Sequence, residues 1–137
     1  MNLNQVTVPS SDVARSIRFY RLLGLTLIVE SLPRYARFEC PAGDSTFSVE
    51  LKPSASPSAA PSAAASGPPS GIVIYFEVHD LPATVASLQS RGIVFDTQPK
   101  DQPWLWREAT LRDPDGNTLC LFTAGPNRRY PPWRLPA

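Results

Sequence analysis

The chain of 137 residues is short of histidine, of cysteine and of net charge. Each shortage removes a class of function. Thirteen Lys and Arg stand against twelve Asp and Glu, a formal charge of +1 with no basic stripe. The long-range field that gathers nucleic acid is therefore absent, and no nucleic-acid partner is expected. No run of 18 apolar residues occurs, so no membrane span is expected. The opening MNLNQVTVPSSD has neither a basic nor an apolar leader region, which argues against secretion. Two cysteines, Cys40 and Cys120, do not make a disulfide framework in a chain this size. Reduced thiols and a cytoplasmic location are the expectation. With 42% hydrophobic and 18% charged residues, the composition is that of one globular domain, or of two small modules sharing a core.

Proline, by contrast, is abundant, with 16 residues, five of them in PSASPSAAPSAAASGPPSG. That stretch holds only Pro, Ser, Ala and Gly, and it cannot bury enough surface to offset its ordering entropy. It reads as a flexible, partly polyproline linker over residues 53–70. The linker separates a first module, 1–52, from a second, 71–124, with an extended arm at 125–137.

The two modules follow one plan. In the first, Leu3–Val8 alternates like a strand, and Asp12 caps a helix with Val13, Ile17, Tyr20 and Leu23 on one stripe. Gly24 ends that helix. Strand-like runs follow at 25–31, 35–40 and 46–51, the last two joined by the turn PAGD. In the second module a strand at 72–78 precedes a cap at Asp80, a stripe of Leu81, Val85 and Leu88, and a stop at Gly92. Strand runs are expected at 93–97, 106–112 and 117–122, with DPDG before the last. Cap and stop lie 12 residues apart in both modules. This is an internal repeat of strand, helix and three strands, an α+β chain of two βαβββ modules.

QVTVPSSDVARSIRFYRLLGL and ATLRDPDGNTLCLF carry a further likeness. Their FY…LGL and DPDGN phrases resemble the opening and closing segments of the vicinal-oxygen-chelate (glyoxalase/bleomycin-resistance/dioxygenase) superfamily, over residues 3 to about 124. The resemblance implies two curved mixed sheets flanking a shared cleft. The family includes metal-dependent lyases, isomerases and dioxygenases as well as metal-free proteins that sequester antibiotics, so fold alone does not choose among them.

In the metal-using members, ligands come from the first and last strand of each module. Carried onto this chain, those positions fall on Gln5, Glu50, Val73 and Cys120. Gln5 and Glu50 suit a hard cation. Val73 has no lone pair, and Cys120 offers a short, soft sulfur. The sole histidine, His79, shares Val73's face but stands roughly 20 Å further along an extended strand, and reads as a solvated loop residue. The expectation is no cofactor; the alternative is a divalent metal ion held by Gln5, Glu50 and a third donor such as Glu77.

Strand alternation assigns Gln5 and Thr7, then Thr46, Ser48 and Glu50, to the cleft side of the first module, with Arg37 joining them. Val73, Tyr75 and Glu77, with Thr118, Cys120 and Phe122, take that side in the second. Gln5 and Glu50 read equally as half-buried polar positions satisfied by neighbours. Cys120 reads as a small apolar core residue rather than a nucleophile. Trp104 and Trp106 share one face of what reads as an extended segment. They form either an aromatic wall for a planar ligand or core packing. The arm GPNRRYPPWRLPA is expected to pack its aromatics on the body or on a second subunit.

The leading expectation is therefore metal-independent capture of an aromatic or antibiotic-like small molecule by a homodimer. The ligand-binding set is Gln5, Arg37, Glu50, Tyr75, Trp104, Trp106, Cys120 and Phe122. The alternatives are a metal-dependent lyase or dioxygenase of the glyoxalase type and a purely dimerising module.

Overall fold

A computed structural model of the chain describes residues 1–53 and 71–136; the linker expected at 53–70 lies, beyond Pro53, outside the described residues. The described chain divides into two compact units. The first holds residues 1–53 together with Asp113–Asn117, and the second holds residues 71–112 and 118–136.

The first unit runs β1 (Gln5–Ser10), α1 (Val13–Leu23), β2 (Thr26–Ser31), β3 (Tyr35–Glu39) and β4 (Thr46–Leu51). The strands form one mixed sheet in the order β1-β4-β3-β2, with β1 parallel to β4 and the other pairs antiparallel. The Asp12 carboxylate accepts the Arg15 N–H and so caps α1. At the other end Gly24, at φ 112°, takes a left-handed turn that a residue with a Cβ resists. Val13, Ile17 and Tyr20 recur at helical spacing and are buried against Phe38, Phe47 and Val49. The Tyr20 ring lies 4.6 Å from Phe47 and 5.7 Å from Phe38. Each such burial contributes about 1.5–3 kcal/mol.

The second unit runs β5 (Val73–Glu77), α2 (Leu81–Ser90), β6 (Lys100–Asp101), β7 (Arg107–Arg112) and β8 (Thr118–Thr123), with sheet order β5-β8-β7-β6. Asp80 caps α2 through the Ala83 N–H. Leu81, Val85 and Leu88 are buried along with Ala109, Leu111, Leu119 and Leu121 of the sheet. The α+β plan of two strand–helix–three-strand modules is thus what the chain adopts.

Three expectations are corrected. Residues 93–97 form no strand: only Phe95 bridges to Leu111, and the edge strand is the short Lys100–Asp101. The reason is a side chain in the ladder. Asp96 N–H donates to the Thr110 carbonyl, while the Thr110 N–H turns to the Thr97 hydroxyl instead of a backbone oxygen. Trp104 and Trp106 do not lie on an extended segment. They flank a tight loop in which Leu105 N–H donates to the Gln102 carbonyl and Gln102 N–H to that of Trp106. Leu105 has φ 66°, a left-handed conformation costing about 1–2 kcal/mol for a residue with a side chain, and β7 begins only at Arg107. Finally, the arm does not pack its aromatics on the body. Tyr130 and Trp133 are 60% and 57% exposed, with the Arg129 and Arg134 guanidiniums over the Tyr130 ring.

The segment between β7 and β8 carries the buried polar chemistry of the first unit. Asp113 is buried, and its carboxylate accepts the Tyr20 hydroxyl at 2.6 Å as well as the Asp115 and Asn117 amides and the Asn117 side chain. Gly116, at φ 83°, supplies the left-handed step of that turn. Burial, reinforced by the Asp113 charge, pushes the Tyr20 phenol far above its ordinary range. Asp115 accepts the Ser11 hydroxyl at 2.6 Å and the Ser11 amide at 2.7 Å. Burial opposes ionisation of Asp115, but hydrogen bonds from Ser11 and Ser10 and the nearby Arg15 outweigh it. The carboxyl is held below the usual carboxylate range.

Candidate functional site

Each sheet has one face under its helix and one face away from it, and pleat alternation decides which side chains stand on the second. In the first unit the rows are Gln5–Thr46–Glu39, Thr7–Ser48–Arg37 and Pro9–Glu50–Tyr35. Gln5, Glu50 and Arg37 therefore share a face, and that face is polar and self-satisfied. Gln5 Oε1 accepts the Thr46 hydroxyl at 2.9 Å. The Arg37 Nε–H donates to the Tyr35 hydroxyl at 2.8 Å, and that hydroxyl shares a 2.8 Å bond with Ser48. The Arg37 guanidinium stands 5.6 Å from the Tyr35 ring centroid. Ser48 is wholly buried by this cover, while Glu50 is exposed.

The second unit's face is different in kind. Its rows are Val73–Thr118–Arg112, Tyr75–Cys120–Thr110 and Glu77–Phe122–Glu108. Trp106 stacks on Phe122 with centroids 4.6 Å apart and planes 16° apart. Tyr75 meets both edge-on, at 5.9 and 5.8 Å. Phe122, Cys120 and Ala124 are buried beneath Trp106 as a small core of their own, while Tyr75 and Trp104 remain about half exposed. Tyr75, Trp104, Trp106, Cys120 and Phe122 are thus brought together. The two indoles do so with separate partners, since the Trp104 Nε1–H donates to Glu108 at 2.7 Å.

Glu108 is the residue that sequence reasoning missed. It is 9% exposed, on the same face as the aromatics, and its charge is felt by its neighbours. The Cys120 thiol is pushed up to about 12, first by burial and then by Glu108. Burial, followed by Cys120 and Glu108, also raises the Tyr75 hydroxyl. The available signal was the alternation REATLR, which puts Glu108 and Thr110 on one side and Ala109 and Leu111 on the other.

These observations test the expected metal positions one by one. Aligned on β1 and β5, where Gln5 matches Val73, the ladder sets Phe122 against Glu50 and Cys120 against Ser48. The position counted from DPDG onto Cys120 is therefore one row short by this alignment. Phe122 has no donor, and Cys120 is a buried thiol whose ionisation is opposed by burial and by the Glu108 carboxylate beside it. Among the described residues no three His, Cys, Asp or Glu side chains cluster to hold an ion. The donors present do not fit the superfamily's metal. His79 is exposed in the bend after β5. A shallow hollow at the start of α1, between Asp12, Leu32 and Leu51, takes in none of the residues expected to bind ligand.

The duplicated strand–helix–sheet plan defines a class, and comparison with known proteins identifies it. Residues 2–121 match the Glyoxalase/Bleomycin resistance protein/Dioxygenase superfamily, and the chain belongs to that superfamily. Its fold is similar to a member from Nocardioides, with a TM-score of 0.71 and 22% identity over 99% of this chain and 90% of that one. It is similar as well to TnmS3, an antibiotic binding protein from Streptomyces sp. CB03234, with a TM-score of 0.70 and 24% identity over 91% of this chain and 97% of that one. A lactoylglutathione lyase from Agrobacterium tumefaciens gives a TM-score of 0.67 and 18% identity over 89% and 92% of the two chains. At these identities the likeness is one of fold. No curated protein matches the chain.

Proposed function

We propose that the chain captures a small aromatic molecule without a metal ion, on the face of the second sheet that carries Tyr75, Trp104, Trp106 and Phe122. The single observation behind this reading is the aromatic cluster itself. Three rings within 6 Å of one another, one of them about half exposed, offer flat apolar surface for stacking, and Glu108 supplies a polar group to orient what stacks there. The mechanism is stoichiometric: the ligand is held by stacking and hydrogen bonds, and no bond is broken. Support for leaving out the metal comes from Val73, Cys120 and Phe122, none of which offers a ready donor.

The same reading includes a homodimer acting in the cytoplasm. Both thiols are free, and no helix among the described residues is long and apolar enough to cross a membrane. Tyr130, Trp133 and Leu135 offer exposed apolar surface to a second copy.

Titration of the protein's tryptophan fluorescence with a panel of planar aromatic antibiotics tests capture, with and without a chelator. Saturable quenching at one ligand per chain, unchanged by the chelator, is expected. Quenching that disappears on chelation and returns with Zn²⁺, Ni²⁺, Mn²⁺ or Fe²⁺ would favour a glyoxalase-type enzyme instead. No quenching across the panel would end the capture reading.

A further inference from the structure

We infer that the ligand of this aromatic face is an organic cation, a planar ring system bearing a protonated amine or similar group, drawn by Glu108. The inference rests on the capture reading and narrows it to one chemical class.

The observations converge on charge. Glu108 is 9% exposed, yet the partners of its carboxylate are neutral donors: the Trp104 indole N–H at 2.7 Å and the neighbouring Cys120 thiol. None of the ion pairs among the described residues involves it. Lys100 is its register partner on β6 but forms no such pair with it. A buried carboxylate with only neutral hydrogen bonds retains an attraction for a positive charge, stronger here than at an open surface because water is largely excluded.

The surroundings favour a particular kind of cation. Glu108 and Glu77 stand on either side of Phe122 in one row of the ladder, and Glu77 is already paired with Arg128 at 3.4 Å. The rings of Tyr75, Trp106 and Phe122 gather on the same face, Trp104 is held to Glu108 by its N–H, and a cation above such rings gains from their negative π-faces. A small inorganic ion would find no cluster of three carboxylate, thiol or imidazole donors among the described residues. A flat organic cation matches both features, its ring system on the indole and its charge toward Glu108. An anionic ligand would be opposed by the Glu108 charge.

The test uses the full chain and three tricyclic probes of similar size but different charge: 9-aminoacridine as cation, acridone as neutral ring and 9-anthracenecarboxylate as anion. Binding is followed by calorimetry. The expected order is cation, neutral, anion, with the cation at least about tenfold tighter than the neutral ring. Glu108→Gln keeps an acceptor for the Trp104 N–H. It should bring the cation to within about twofold of the neutral probe, the cation losing several-fold more affinity than the neutral ring does. The order among probes in the unmodified protein needs no variant, so it stands as a test even if Glu108→Gln folds poorly. Neutral or anionic probes binding as tightly as the cation would overturn the inference and leave aromatic capture standing. Failure of all three to bind would overturn both.

Discussion

The two sheets share a plan and differ in what they do with the face away from the helix. In the first unit that face is tiled by short polar contacts among Gln5, Thr46, Ser48, Tyr35 and Arg37. In the second it carries a small apolar core, Phe122 and Cys120 beneath Trp106, with one buried carboxylate beside it. A repeated backbone therefore does not carry a repeated chemistry. The pleat fixes which positions face which way, and substitution at those positions sets whether the face holds water, an ion or a ring.

The contrast predicts unequal costs. Phe122→Ala removes a buried ring from the second face and should cost about 3–5 kcal/mol in a urea unfolding titration. Glu50→Ala, at the matching ladder position of the first face, should stay within about 0.5 kcal/mol. Comparable losses at the two positions would erase the distinction.

The two module-closing turns give a second, smaller contrast. Tyr20→Phe removes the hydroxyl that Asp113 accepts in its buried setting and should cost about 1–3 kcal/mol. Asp44→Asn in the exposed turn of the first module should leave unfolding unchanged. A large loss at Asp44, or none at Tyr20, would show that the turns are equivalent after all.

The acid side of the stability profile sharpens the same point. The Asp115 carboxyl is held below its ordinary value in the folded chain, so its contribution is fully present above the unfolded value of about 3.9. That contribution fades as pH falls from there toward the folded value. Asp115→Asn should therefore flatten the acid limb of a pH–stability curve while changing its shape little near neutrality. An unchanged acid limb would remove Asp115 from the account. A small effect is expected at Gln5→Ala, where one exposed hydrogen bond to Thr46 is lost; a shift beyond about 0.5 kcal/mol would mean that this face does more than satisfy itself.

How far the sequence carried the reading follows from which signals are local. Caps and stops are local: Asp12 with Gly24 and Asp80 with Gly92 marked both helices, and the buried stripes followed. The strand alternation of TFSVEL and TLCLF was equally legible and correctly separated the two faces of β4 and β8. What failed depended on pairing across the sheet. Residues 93–97 look like a strand until Thr97 substitutes its hydroxyl for a backbone partner. Trp104 and Trp106 look like neighbours on one face of an extended chain until Leu105 takes a left-handed step. The position matching Glu50 was counted from a turn, whereas the ladder register puts Phe122 there. Glu108 went unnoticed because a carboxylate in an alternating strand reads as solvent-facing, and only the aromatic cover from its neighbours makes it buried.

The segment Asp113–Asn117 has a consequence for the chain's divisibility. Although it lies late in the sequence, it completes the hydrogen bonding of the first helix, so a fragment ending in the proline-rich stretch would leave the Tyr20 hydroxyl stranded in an apolar interior. The halves look like interchangeable copies, but the first borrows its closing turn from the sequence of the second. The repeat in the sequence divides the chain at the proline-rich stretch, while the compact units exchange the five residues Asp113–Asn117 across it.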